Sequence, residues 1–376
     1  MRSMNASIRM PIMGWAILVL MLSAIVCFAE DRAAKYAMPL WPVARNGKWG
    51  YIDSKGKVVV PFEYESAWNF SEGLALVQKG GKWGFINEQG RVAIPFQHDY
   101  CLPFYDGWAR ADDSFIDKEG KQTLFLPGVH APAFSEGFAV ASPLMPSGLG
   151  WPAGKPMPEP GKPYYVDKAG KRLIIRQPGV ATGADDALFL RDILDPDCRG
   201  DFREGLAKIT VNGKSGFINS QGIVVIPIQY EDAWSFNDGC TAVTLDGRHF
   251  HIDREGNRLY DQGRTFDDAH GFFESRAAVK VDGKWGFIDK RADIVIEPVY
   301  DDVMSFMGGL APVKVGDLWG YIDVKGQMAI PPRYAYAHWF LGELASVEMP
   351  GVGRDSSGAM RHYINRAGEE VWSPEK

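Results

Sequence analysis

The phrase Gly-Lys-Trp-Gly-aromatic-Ile-Asp recurs along this chain, and its recurrence limits what the chain can fold into. Gly47-Lys-Trp-Gly-Tyr-Ile-Asp53 returns as Gly81-Lys-Trp-Gly-Phe-Ile-Asn87, about 34 residues on. Later, Gly283-Lys-Trp-Gly-Phe-Ile-Asp289 is followed at similar distance by Gly316-Asp-Leu-Trp-Gly-Tyr-Ile-Asp323. A segment of that length cannot bury its own hydrophobic face, so it has to stack on its neighbours. Repetition of this kind speaks to architecture far more than to activity.

Within one unit the alternation is that of a β-strand. Trp49 and Tyr51 fall on one face, Gly50 and Ile52 on the other. Asp53-Ser-Lys-Gly56 then has the chemistry of a tight hairpin, with an acidic side chain opening the turn and glycine closing it. The same turn starts at residues 53, 87, 117, 167, 219, 253, 289, 323 and 365, and only Asp289-Lys-Arg-Ala292 lacks the glycine. A second strand, Val58-Val-Val-Pro61, is expected to stop pairing at its proline. A connector carrying Tyr64, Ala67 and Phe70 leads to Glu72-Gly73 and a third strand, Leu74-Ala-Leu-Val77. The unit reads as a three-stranded antiparallel meander, with room for a short fourth strand in the connector. Tryptophan supplies buried area, and the following glycine lets another backbone or ring approach closely.

These residues resemble the WG repeat of bacterial proteins, also called the KWG repeat. The likeness rests on Trp49-Gly50, Trp83-Gly84, Trp285-Gly286 and Trp319-Gly320 with the Asp- or Asn-opened turns that follow them, and it extends from about Trp41 to Trp372. It implies an all-β array, often exported, with no catalytic residues to carry over. The expected fold is all-β: about eight to nine three-stranded antiparallel meanders, in a propeller-like ring rather than an open β superhelix. Trp41-Pro-Val-Ala44 is expected to complete a truncated last unit around His362–Trp372. Insertions near 142–162 and 176–201 interrupt the array. The central copies lose the Trp-Gly pair: Ser114, Tyr164 and Ser215 mark three of them, and His249-Phe250 replaces it in the next.

The N-terminal segment is of another kind. Arg2 and Arg9 precede an uncharged apolar run ending at Ala29, the pattern of a signal peptide over residues 1–29. Residues 30–40 would then be a linker to a repeat domain spanning 41–376. A membrane anchor and a lipidated Cys27 are the alternatives, and the expected location is periplasmic or extracellular. The formal net charge is -6, which argues against a nucleic-acid partner. Cys101, Cys198 and Cys240 would remain after cleavage. Cys198 is the better disulfide partner for either of the others, and Cys240 stands where other units carry a core leucine.

No catalytic motif, phosphate loop or dinucleotide fingerprint is present. His249 and His251 share a strand face, which is half a metal site, but their register matches the repeat's aromatic positions and points to packing. Asp232, Asp267-Asp268 and Asp301-Asp302 follow the repeat phase and read as turn or rim residues. No metal or cofactor is expected. Two function classes stand: an exported, non-catalytic scaffold for a protein partner, and a module binding envelope polysaccharide on Trp68, Trp108, Trp234 and Trp339. A hydrolase is a distant third. Exposure of those four tryptophans in a row would favour the glycan; burial would favour the scaffold.

Overall fold

The computed structural model describes residues 38–143, 163–176, 200–261, 263–351 and 362–374. The expected signal peptide at residues 1–29, Cys198 and most of both insertions lie outside the described residues. Every element within them is a strand, and the strands form nine antiparallel sheets of three or four strands. The second sheet shows the full form: Ser66–Ser71, Leu74–Lys79, Lys82–Asn87 and Val92–His98, in that order. The connector strand, the Leu-Ala strand, the Trp-Gly strand and the Pro-bearing strand therefore lie side by side. The meander is cut from the chain differently from the expected unit. One residue, Glu65, separates the last strand of the first sheet from the first strand of the second.

Two local rules shape the sheets, the first in all nine and the second in the five that keep the strand glycine. All nine Asp/Asn side chains accept the amide N–H groups two and four residues on; Asp53 Oδ1 takes those of Lys55 and Lys57 at 2.9 Å. The fourth residue takes positive φ, 78° at Gly56 and 63° at Ala292. The second rule concerns the strand glycine. Trp49 pairs with Tyr64 and Tyr51 with Val60, so residues 61–63 bulge where the partner strand has Gly50 alone. A Cβ on Gly50 would stand 2.5 Å from the Val60 carbonyl oxygen, and Gly286 and Gly320 meet Ile296 and Ile330 in the same way. The glycine thus admits its own neighbouring strand rather than the next sheet. Pro61 does not end its strand; it sits inside the bulge, on an edge where a missing N–H also discourages further pairing.

Both faces of each sheet are buried because each sheet is covered on two sides. Tyr51, Val60 and Tyr64 of the first sheet pack on Ala75, Val77 and Ile86 of the second. Leu76, Phe85 and Ile94 of the second then pack on Cys101, Ala109 and Ile116. The turn glycine fits the seam: a Cβ on Gly90 would lie 3.2 Å from Val60, on Gly120 3.2 Å from Ile94, and on Gly326 3.1 Å from Ile296. The pattern passes from sheet to sheet and returns to its start. Trp41, Val43 and Ile52 of the first sheet share a core with Leu344, Tyr363 and Trp372 of the ninth. Phe62 stacks on Trp372 with centroids 5.7 Å apart, and Trp41 Nε1 donates to the Leu341 carbonyl at 3.1 Å. The arrangement is propeller-like.

The ends meet differently from expectation. Trp41–Arg45 pairs with Lys48–Ile52 in its own sheet, and the ninth sheet supplies all four of its strands. The first and ninth sheets meet by side-chain packing, with no strand exchanged among the described residues.

One rim carries a relay of acidic side chains. Glu72 accepts the Gly107 N–H, Asp106 that of Gly137, Glu136 that of Gly205, Glu204 that of Gly239, Asp238 that of Ser275, and Glu274 those of Gly308 and Gly309. Each acid sits in one sheet's first turn and holds the next sheet's. At the eighth sheet Gly308 stands where the acid would be, and Arg366 takes over by donating to the Gly308 and Gly342 carbonyls.

Candidate functional site

The sixth sheet, built on Cys240–Leu245 and Arg248–Asp253, breaks the glycine rule. Phe250 occupies the position of Gly50. A bulge of the usual size would collide with its ring, and the edge strand responds. Leu259 N–H donates to the His251 carbonyl and Phe266 N–H to the His249 carbonyl, at 3.1 and 3.0 Å. Phe266 thus takes the role of Tyr64 and Arg258 that of Val58, and the chain between them is two residues longer than that between Val58 and Tyr64. Arg258 lies over the Phe250 ring, 3.4 Å from its centroid. A groove of about 530 Å³ opens here, lined by Gln229, Phe250, Asn257, Arg258, Tyr260 and Asp261 among others.

The fourth sheet makes the same exchange. Tyr164 replaces the glycine, Arg172 covers it at 3.7 Å, and the edge strand shrinks to a single bridge between Val166 and Arg172. In the third sheet Asp113 stands in the tryptophan position, and the guanidinium of Arg110, 4% exposed, takes up space beside Phe115. Its Nη2 donates to the carbonyls of Leu126 and Val129 at 3.2 and 3.1 Å.

His251 shows how the broken copy keeps its seam. In several sheets a tyrosine hydroxyl at this register bonds the next sheet: Tyr51 to the Trp68 carbonyl at 2.8 Å, Tyr321 to that of His338 at 2.7 Å. His251 Nε2 donates to the His270 carbonyl at 2.7 Å instead. A carbonyl accepts only, so Nδ1 carries no proton and accepts from the Tyr260 hydroxyl at 2.8 Å. The same phenol oxygen accepts the His251 amide N–H at 3.0 Å. Burial lowers the His251 pKa to about 4, so the ring is neutral at pH 7. Both ring nitrogens are engaged within the protein, as packing implies. His249 turns aside to Thr244 Oγ1 at 3.1 Å.

The four tryptophans do not form an exposed row. Trp68, Trp108 and Trp339 are half-buried. Trp108 packs edge-on against Phe134 at 5.1 Å, and Trp339 Nε1 donates to the Ser305 carbonyl at 2.9 Å. Trp234, 40% exposed, leans on His270 at 5.2 Å in the neighbouring sheet. The rim acids behave as turn residues: Asp301 takes the Gly316 N–H at 2.7 Å, and Asp268 and Asp302 accept the amide of the residue that follows them. Cys101 and Cys240 are free and buried, Cys240 in a core cluster with Ala242 and Ala269. Among the described residues no group of three or more His, Cys, Asp or Glu is placed to hold a metal ion. Phe250, Arg258 and Tyr260 were not singled out as a site by sequence; the sign was the aromatic in a glycine position, followed by a longer gap to the next Phe.

A circuit of meanders with a relay on its rim defines a β-repeat scaffold. The model of the WG containing repeat matches residues 49–83, 83–112, 216–248, 264–285, 285–319 and 319–349. The chain carries the WG repeat at these six stretches. Each full match runs from the tryptophan of one sheet toward that of the next, so the sequence repeat and the sheet are out of phase. No curated protein sequence matches the chain. Among solved structures, a crystal structure of the eukaryotic initiation factor is similar over 89% of this chain and 95% of that one, at 9% identity and a TM-score of 0.56. Hsv2 of Kluyveromyces lactis covers 78% of this chain and 94% of its own at 10% identity, with a TM-score of 0.34. PorZ, a surface component of the type-IX secretion system of Porphyromonas gingivalis, matches 82% of this chain and 37% of its own at 10% identity and a TM-score of 0.34. The first of these likenesses concerns the fold alone.

Proposed function

We propose that this chain is an exported, non-catalytic scaffold of the cell envelope that holds a protein partner. The observation that carries the reading is the placement of Trp68, Trp108 and Trp339, which are half-buried and engaged with neighbouring sheets. Stacking platforms for a polysaccharide need open ring faces in a row, and only Trp234 among the four is exposed. The recurrent residues are accounted for by turns, bulges and seams. Specificity then belongs to the irregular copies in the third to sixth sheets, as insertions in arrays commonly sit on the binding face.

The test is affinity capture from an envelope extract with the chain lacking residues 1–29, run beside a glycan array. A partner that re-forms a stoichiometric complex with the purified chain is expected. Saturable polysaccharide binding on the array, abolished by changing Trp68 and Trp339, with no such partner, would contradict the reading.

A further inference from the structure

The groove beside Phe250 opens where the edge strand is displaced, and its lining narrows what it accepts. An added peptide strand is disfavoured because the edge of Arg248–Asp253 is already used. The His251 amide is held by Tyr260, its carbonyl by Leu259 N–H, and the His249 carbonyl by Phe266 N–H. No row of open N–H and C=O groups remains there to extend the sheet. A ligand has to be held by side chains.

Those side chains balance. Arg258 only donates hydrogen bonds and Asp261 only accepts them, while Gln229 does both and Asn257 does so with one donor already given to Asp253 Oδ2 at 3.1 Å. A polyanion meets Asp261 and a polycation meets Arg258, each at a cost. Neighbouring hydroxyls, every one a donor and an acceptor, suit such a mixed lining without meeting a like charge. The guanidinium plane of Arg258 is fixed against Phe250 and the half-buried Tyr260 ring lies near, so orientation is set before a ligand arrives. At about 530 Å³ the groove falls within the roughly 300–1,000 Å³ of small-ligand sites.

We propose that this groove binds a neutral, polyhydroxylated ligand, the chemistry of a short saccharide. The site goes beyond the scaffold reading and stands apart from any protein docked elsewhere. It also differs from a glycan platform on the four tryptophans, since none of them lines it.

The experiment is a titration of the chain lacking residues 1–29 with cellotriose, maltotriose and chitotriose, followed by saturation-transfer NMR up to about 10 mM. Trigalacturonate and trilysine serve as charged probes. At least one neutral trisaccharide should bind saturably, and Asp261→Ala and Arg258→Lys should each weaken it by about tenfold. Asp261 is exposed, so its variant should melt as the parent does, which separates loss of binding from loss of fold. The proposal is overturned if no neutral trisaccharide saturates, if only a charged probe binds, or if both variants bind as the parent does. Capture of a protein partner is unaffected by any of these results.

Discussion

Tyr363 donates its hydroxyl to the Pro42 carbonyl over 2.9 Å, although 321 positions of chain separate them. The contact repeats, between the last sheet and the first, what Tyr51 and Tyr321 do between successive sheets. The seam at the chain ends is built like the others, with Trp372 at its centre.

Trp372→Ala should therefore act on both ends of the chain. Trp372 is 4% exposed, and removing such a ring costs about 3–5 kcal/mol. Hydrogen exchange followed by mass spectrometry should show lost protection in Trp41–Ile52 as well as in the ninth sheet. Tyr363→Phe should cost about 1 kcal/mol, the worth of one hydrogen bond.

The two kinds of glycine should respond differently to a methyl group. Gly320→Ala places a Cβ 2.5 Å from the Ile330 carbonyl and should cost about 3 kcal/mol by overpacking. Gly316→Ala meets nothing within 4 Å but keeps a φ of 61°, so its cost is about 1 kcal/mol. Urea melts of the pair measure the difference directly.

Ala292 offers the reverse exchange. Its φ of 63° is strained, while its methyl is fully buried beside Leu259 and Tyr260. Ala292→Gly relieves about 1–2 kcal/mol of strain, loses about 0.8 kcal/mol of burial and adds chain entropy to the unfolded state. Its melting midpoint should stay near the parent's. Gly326→Ala, at the same turn position with Ile296 at 3.1 Å, should lower it clearly.

His251 should make the fold sensitive to acid. Burial depresses its pKa from the usual 6.5 to about 4 in the folded chain. The unfolded chain then takes the proton first, so stability is intact above pH 6.5 and falls as pH drops toward 4, by roughly 3 kcal/mol in all. His251→Tyr, which restores the residue of other sheets, should flatten the stability profile in that window. An unchanged slope between pH 6.5 and 4 would show that another group governs it.

Much of this fold was legible in the residues. The nine turns need only local chemistry, an Asp or Asn acceptor side chain and a residue at positive φ, and Ala292 shows that the acceptor matters more than the glycine. The sheet boundaries were less legible because a strand such as Val58–Tyr64 belongs to one sheet while Ser66–Ser71, one residue later, belongs to the next. Gly50 was read as a place for close approach, but sequence does not tell which backbone approaches. Trp41–Arg45 looked like a closing strand because its actual partner, a few residues on, lies across a short turn. The groove depends on a tertiary consequence of Phe250, the displacement of the edge strand, which no local pattern records.

The central claim is that the first and ninth sheets are packed partners, and the stacked pair Phe62 and Trp372 tests it most directly. A double-mutant cycle with Phe62→Ala, Trp372→Ala and the double variant isolates their interaction from other losses. A closed circuit predicts a coupling energy of about 0.5–1.5 kcal/mol, the usual worth of such an aromatic pair. Strictly additive losses would contradict it and leave the array open.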